Sequence, residues 1–135
     1  MKNTSKKGFT LVELVIVIAV IAVLAAVLIP TFTSVITTAK QSAKLQEIKA
    51  AVDAEYIDFV AEKKSVPVSV SVDSNGYVKF LDTAATSGQY TLANGNIPLY
   101  TNGYYIYLVW DTTTNGYSVV GYKTALTENV LTKVA

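Results

Sequence analysis

The chain contains no cysteine and no histidine. Zinc sites of the usual kind and the common nucleophile–base pairs therefore lack their components, and no disulfide can close a loop. An enzyme is not expected, nor is a cofactor, a metal or a small-molecule ligand. Charge is scarce as well: 16% of the 135 residues are charged, 11 basic against 10 acidic, for a formal net charge of +1. That balance implies no polyanionic partner. Beyond residue 65 only Lys79, Lys123 and Lys133 are basic, so nucleic acid has no basic groove to enter. Glycine and proline are missing from Thr31 to Val66, which removes the usual helix breakers from a long stretch.

What the chain has is apolar surface, 51% of residues, concentrated at its amino end. Between Phe9 and Ile29 only Thr10 and Glu13 are not apolar. A helix needs ~20 such residues to cross the hydrocarbon of a bilayer. Glu13 sits near the start of that span, and a carboxylate in hydrocarbon costs on the order of a few kcal/mol. It is accordingly a candidate functional residue. The first eight residues hold three lysines and no acid, which places them in the cytoplasm and the remainder outside. Asn3 begins a glycosylation sequon, but on the wrong side of the membrane. A secretory signal would be cut after the apolar run. Ala22, Ala25 and Ala26 offer small residues there, but Leu28, Ile29 and Pro30 follow and the run is long. The other arrangement has its cut before the run, between Gly8 and Phe9.

The string Lys6-Lys7-Gly8-Phe9-Thr10-Leu11-Val12-Glu13, with Pro30 beyond it, resembles the class III signal of type IV pilins and pseudopilins. The resemblance covers residues 1 to about 60. It implies a prepilin peptidase that cuts after Gly8 and methylates the new amino terminus on Phe9. It also implies a single-pass precursor in the inner or cytoplasmic membrane, and an assembly platform that builds copies of the chain into a helical extracellular filament. Cutting leaves eight basic residues against ten acidic ones, a net charge of −2. Many family members carry glycine where this chain has Ala22. Alanine is about 1 kcal/mol more helix-favouring and works against the loss of helix that glycine with Pro30 would permit. Many pilins of Gram-negative bacteria close their C-terminal loop with a disulfide, so the lack of cysteine leans towards a Gram-positive source.

The processed chain would carry a protonated α-amine on Phe9, with a reference pKa of about 8. Glu13 lies one helical turn away and can pair with it locally. Between helices offset along a fibre axis, the amine of one copy would meet Glu13 of the next in an apolar core, where an unpaired charge is costly. Such a pair sets register. Pro30 lacks an N–H and predicts a kink or loosened turn without ending the helix.

After Pro30 a small polar run, Thr31 to Thr38, leads into a stripe of Leu45, Ile48, Val52, Tyr56, Phe59 and Val60 at spacings of three and four. One helix from Phe9 to about Lys64 is expected, roughly 80 Å long at 1.5 Å per residue. The period then becomes two. Strands are expected over residues 66–72 and 77–81, joined by the turn at Asp73 to Gly76, and over 104–110 and 117–122, joined by the turn at Asp111 to Gly116. Residues 82–96 read as a loop with a short strand near Tyr90 to Leu92, and 124–135 stay open between a short helix and an edge strand.

Asp73 with Asn75 and Asp111 with Asn115 offer oxygens, but too few for a calcium site, and turn chemistry accounts for them. The nine tyrosines, six of them from Tyr100 onward, are read as core and edge of a pleated sheet. The expected fold is α+β: a long helix, its first half spanning the membrane, with four antiparallel strands packed on its second half. It resembles the pilin lollipop. The expected organisation is leader 1–8, transmembrane and assembly helix 9–32, amphipathic continuation 33–64 and β-rich head 65–135. The functional expectation is a structural subunit of a type IV pilus-like filament serving adhesion, motility or DNA uptake. Two alternatives stand beside it: a pseudopilin of a secretion or competence machine, and a single-span binding module that never polymerises.

Overall fold

A computed structural model describes residues 8–135, so the expected leader, Gly8 apart, lies outside the described residues together with Asn3, Lys6 and Lys7. One helix, α1, runs over Leu11–Lys63. Six strands follow: β1 (Ser69–Val72), β2 (Val78–Leu81), β3 (Tyr90–Thr91), β4 (Gly95–Tyr100), β5 (Tyr105–Asp111) and β6 (Gly116–Tyr122). The chain divides into two compact units, one ending at Lys40 and one spanning Gln41–Ala135.

In the first unit every large apolar side chain from Phe9 to Ile36 is exposed. Among the described residues, α1 is the one helix long and apolar enough to cross a membrane. It passes through Pro30 without a break. The polar run that follows stays helical because its hydroxyls turn back onto the backbone. Thr31 donates to the Val27 carbonyl at 3.0 Å, Thr33 to Ile29 at 2.9 Å, Thr37 to Thr33 at 3.0 Å and Thr38 to Ser34 at 3.0 Å. Four hydroxyls are thereby satisfied without water.

In the second unit the predicted stripe does bury itself. Ile48 and Val52 are wholly enclosed and Phe59 nearly so, against Val70, Phe80, Ile97, Ile106, Leu108 and Trp110. Tyr56 meets Phe80 edge-on at 5.4 Å and Tyr117 at 4.7 Å, extending the apolar contact with aromatic pairs. Val60 is 38% exposed and lies outside this core. The helix ends at Lys63, and Lys64 takes a left-handed φ of 52° while its N–H still reaches the Val60 carbonyl at 2.9 Å.

The strands depart from expectation in three places. The expected single four-stranded sheet is instead two three-stranded antiparallel sheets, ordered β2-β1-β3 and β4-β5-β6. β4 begins in the last two residues of what reads as loop, Gly95 and Asn96, and runs on through a stretch to which the sequence assigns no element. Its glycine, asparagine and proline mask it, and Pro98 is tolerated because β4 is a bulged edge strand. β1 begins at Ser69 rather than Val66. Val66 and Val68 are each 46% exposed, while Ser69 is buried and donates to the Thr83 carbonyl at 2.7 Å.

The last twelve residues are neither helix nor strand. They form a strap, touching β4 through one parallel bridge between Asn96 and Val130. The Asn96 N–H donates to Asn129 at 2.7 Å and the Leu131 N–H returns to Asn96 at 2.8 Å. Further on, the Gly88 N–H donates to Val134 at 2.9 Å and the Val134 N–H to Gln89 at 2.8 Å, just before β3. The strap thus holds one sheet's edge and the approach to the other's. Gly95 permits this, since a Cβ there would stand 2.8 Å from the Asn129 carbonyl oxygen.

Candidate functional site

Gly8 and Phe9 precede the helix. Nothing lies within 4 Å of where a Gly8 side chain would begin, and Phe9 is 89% exposed. The helix starts two residues later than the apolar run, and Thr10 explains why. Its hydroxyl accepts from the Glu13 N–H at 3.1 Å, while Glu13 Oε2 accepts from the Thr10 N–H at 3.3 Å. That reciprocal pair is a capping box, which satisfies two of the donors a helix start leaves unpaired. The Thr-x-x-Glu spacing before an apolar run is its sequence signature, legible in Thr10 and Glu13 but hidden by the weight of the apolar run that follows. Glu13 therefore has a structural task in this chain as well as the proposed one. Its carboxylate is held at the helix start, beside the residue whose amine cleavage would free.

Pro30 lies well along the same helix from Glu13, so the two do not form one site. Ala22 is exposed within unbroken helix.

The tyrosines divide by role. Tyr117 donates to Asp53 at 2.8 Å and Tyr77 to Glu47 at 2.6 Å, tying strand and turn residues to acids on α1. Burial, and then the bond to Asp53, push the Tyr117 phenol well above its ordinary range. The Tyr77 bond, followed by the charge of Lys44, holds the Glu47 carboxyl below its usual value. Tyr107 accepts from the Leu126 N–H at 3.0 Å and so receives the start of the strap. The two aspartates named above act in turns. Asp73 Oδ1 accepts from the N–H groups of Asn75 and Tyr77 at 2.8 and 3.0 Å. Asp111 Oδ1 accepts from Thr113 at 2.8 Å, and that bond lowers its pKa.

Residues 3–29 match the family described as the prokaryotic N-terminal methylation motif, a window that contains Gly8, Phe9 and Glu13. Among curated proteins the chain is similar to a fimbrial protein of Neisseria meningitidis serogroup A. The two are 33% identical over 102 residues, which is 70% of this chain and 60% of the relative. It is 43% identical over 61 residues to the type IV major pilin protein of Myxococcus xanthus, covering 45% of this chain and 27% of that one. A type IV narrow pilus major component of Thermus thermophilus is 38% identical over 69 residues, covering 51% of this chain and 59% of the relative. The chain thus spans 60% or less of the length of each. No solved structure matches at the same level of significance.

Proposed function

The chain belongs to the type IV pilin family, and from that premise we propose that it is a structural subunit of a type IV pilus-like extracellular filament. One observation carries the reading. From Phe9 to Ile36 the helix exposes every large apolar side chain it has, and such a surface must be covered by lipid or by other copies of itself. In the membrane, lipid covers it. In a filament, the same surface packs against neighbouring helices. The reading needs no catalytic residue, and the subunit is not an enzyme in it.

The route begins with the leader, residues 1–8, on the cytoplasmic side. A prepilin peptidase cuts between Gly8 and Phe9 and methylates the new terminus. The helix then holds the subunit as a single-pass precursor, its head outside, until an assembly platform extracts it. Exposure of Gly8 and Phe9 ahead of the capped helix suits a protease that must bind extended chain. Glu13 pairs with the α-amine of an adjacent copy and fixes register, and Pro30 supplies a point where the helix yields. A Gram-positive source accords with the missing cysteines.

Processing is tested by sequencing the amino terminus of the mature protein, which is expected to begin at Phe9. Gly8→Val is expected to leave the leader attached, because a branched side chain does not fit a site shaped for glycine. A mature protein starting elsewhere contradicts this route.

A further inference from the structure

Four of the chain's seven glycines follow an asparagine, at Asn75-Gly76, Asn94-Gly95, Asn102-Gly103 and Asn115-Gly116. Turn chemistry favours the pair, but the pair also carries a reaction of its own. With no side chain on the glycine, its backbone nitrogen can swing onto the amide carbon of the asparagine. That attack needs the two atoms brought together in line, so a backbone held in place suppresses it. Three of the pairs are held. The Gly76 N–H donates to the Asp73 carbonyl at 3.2 Å, and Gly76 is buried against the Leu99 carbonyl. Asn94 Oδ1 accepts from the N–H and the hydroxyl of Thr112 at 2.7 and 2.9 Å, while Gly95 pairs with Trp110 and lies against the strap. Gly116 pairs with Asp111 in the β5–β6 ladder, and the Asn115 carbonyl accepts from the Tyr56 hydroxyl at 3.4 Å. The fourth pair is open. Thr101, Asn102 and Gly103 are all exposed in the loop between β4 and β5. Nothing lies within 4 Å of where a Gly103 side chain would begin, and the Gly103 N–H reaches only the Thr101 carbonyl next to it, at 3.1 Å.

We propose that Asn102 is a site of spontaneous modification, turning with age into aspartate and isoaspartate while Asn75, Asn94 and Asn115 persist. The Gly103 nitrogen bonds to Cγ of Asn102 and passes its proton through solvent to the departing Nδ2. The Cγ–Nδ2 bond breaks, ammonia leaves, and a succinimide ring remains. Water then opens that ring at either carbonyl. Opening at the backbone carbonyl leaves the chain running through the former side chain, as isoaspartate; opening at the other gives aspartate. One water is consumed and one ammonia released, so no enzyme or cofactor is needed. Each event replaces a neutral amide by a carboxylate and lowers the net charge of the chain by one. The modified fraction therefore records how long a subunit has stood in water. This chemistry belongs to the loop and does not depend on filament building.

The test is incubation of the purified full chain in detergent at mildly alkaline pH, followed by peptide mapping with fragmentation that separates asparagine, aspartate and isoaspartate at each position. Asn102 is expected to convert first. The three held pairs must open locally before they react, and the hydrogen bonds that hold them should slow them about tenfold or more. In urea, where nothing is held, all four are expected to convert at similar rates. Isoelectric focusing of the folded chain should show one acidic species growing with time. Asn102→Gln keeps an amide there and should remove that species, with circular dichroism showing the variant to be folded. Conversion of Asn75, Asn94 or Asn115 in the folded chain as fast as Asn102 would overturn the proposal. So would an Asn102 that stays intact in the folded chain over the time in which the urea-unfolded chain converts.

Discussion

Glu13 serves the helix start, and in the filament we propose the same carboxylate would serve assembly as well. In the monomer it closes the capping box with Thr10. In a filament its charge would answer an amine. Other side chains tie the head together in ways that titrate. The folded-state pKa of Tyr117 lies above the ordinary value near 10. Above that value the unfolded chain binds fewer protons than the folded one. The stability that this bond contributes is therefore complete below pH ~10 and is lost as pH rises further. Thermal melts of the full chain in detergent should show a flat midpoint from neutrality to about pH 10, then a decline. Tyr117→Phe should lower the midpoint at neutral pH and make the decline shallower. An identical alkaline slope in the variant would mean that another group governs it. The Tyr117–Asp53 bond joins residues 64 apart in sequence. Nothing local in the sequence announces such a pair, whereas the Asp73 and Asp111 turns are legible because their partners lie two to four residues away.

Among the elements, legibility follows contact range. α1 could be read almost to the residue because its signals are local: an apolar run, a stripe of period 3.6, and no glycine or proline between Pro30 and Pro67. Its start moved to Leu11 only because a capping side chain outranks hydrophobicity in deciding where a helix begins. The β5–β6 hairpin was legible for the same reason, with alternation on both sides of a turn. β4 and the division into two sheets were not. β4 pairs along an edge that its own composition does not reveal, and the strap is defined by partners more than thirty residues upstream. Deleting residues 128–135 removes the strap's backbone bonds and the packing of Leu131. A loss of about 2–3 kcal/mol follows from one partly buried leucine and a few hydrogen bonds. That should lower the melting midpoint by roughly 10 °C or more. Reductant should change nothing. A truncated chain that melts where the full chain does would show the strap to be passive.

For the whole molecule, the account rests on one asymmetry. From Gln41 on the chain buries most of its large apolar residues within itself, and from Phe9 to Ile36 it leaves every one exposed. The first property makes a folded head. The second makes a surface that must find lipid or copies of itself, and its only charge within the apolar run is Glu13. The capping box sharpens the test of that charge, because glutamine serves in it as glutamate does. Glu13→Gln thus keeps the helix start and removes the counter-charge, while Glu13→Ala removes both. The measurement is the ratio of sheared filament to membrane-retained protein in cells making the unaltered chain or Glu13→Gln. Leaving a buried amine unpaired costs roughly 3–5 kcal/mol at each subunit added. The account predicts normal membrane levels of the Glu13→Gln protein and almost no filament. Filaments from Glu13→Gln at the unaltered yield would contradict it.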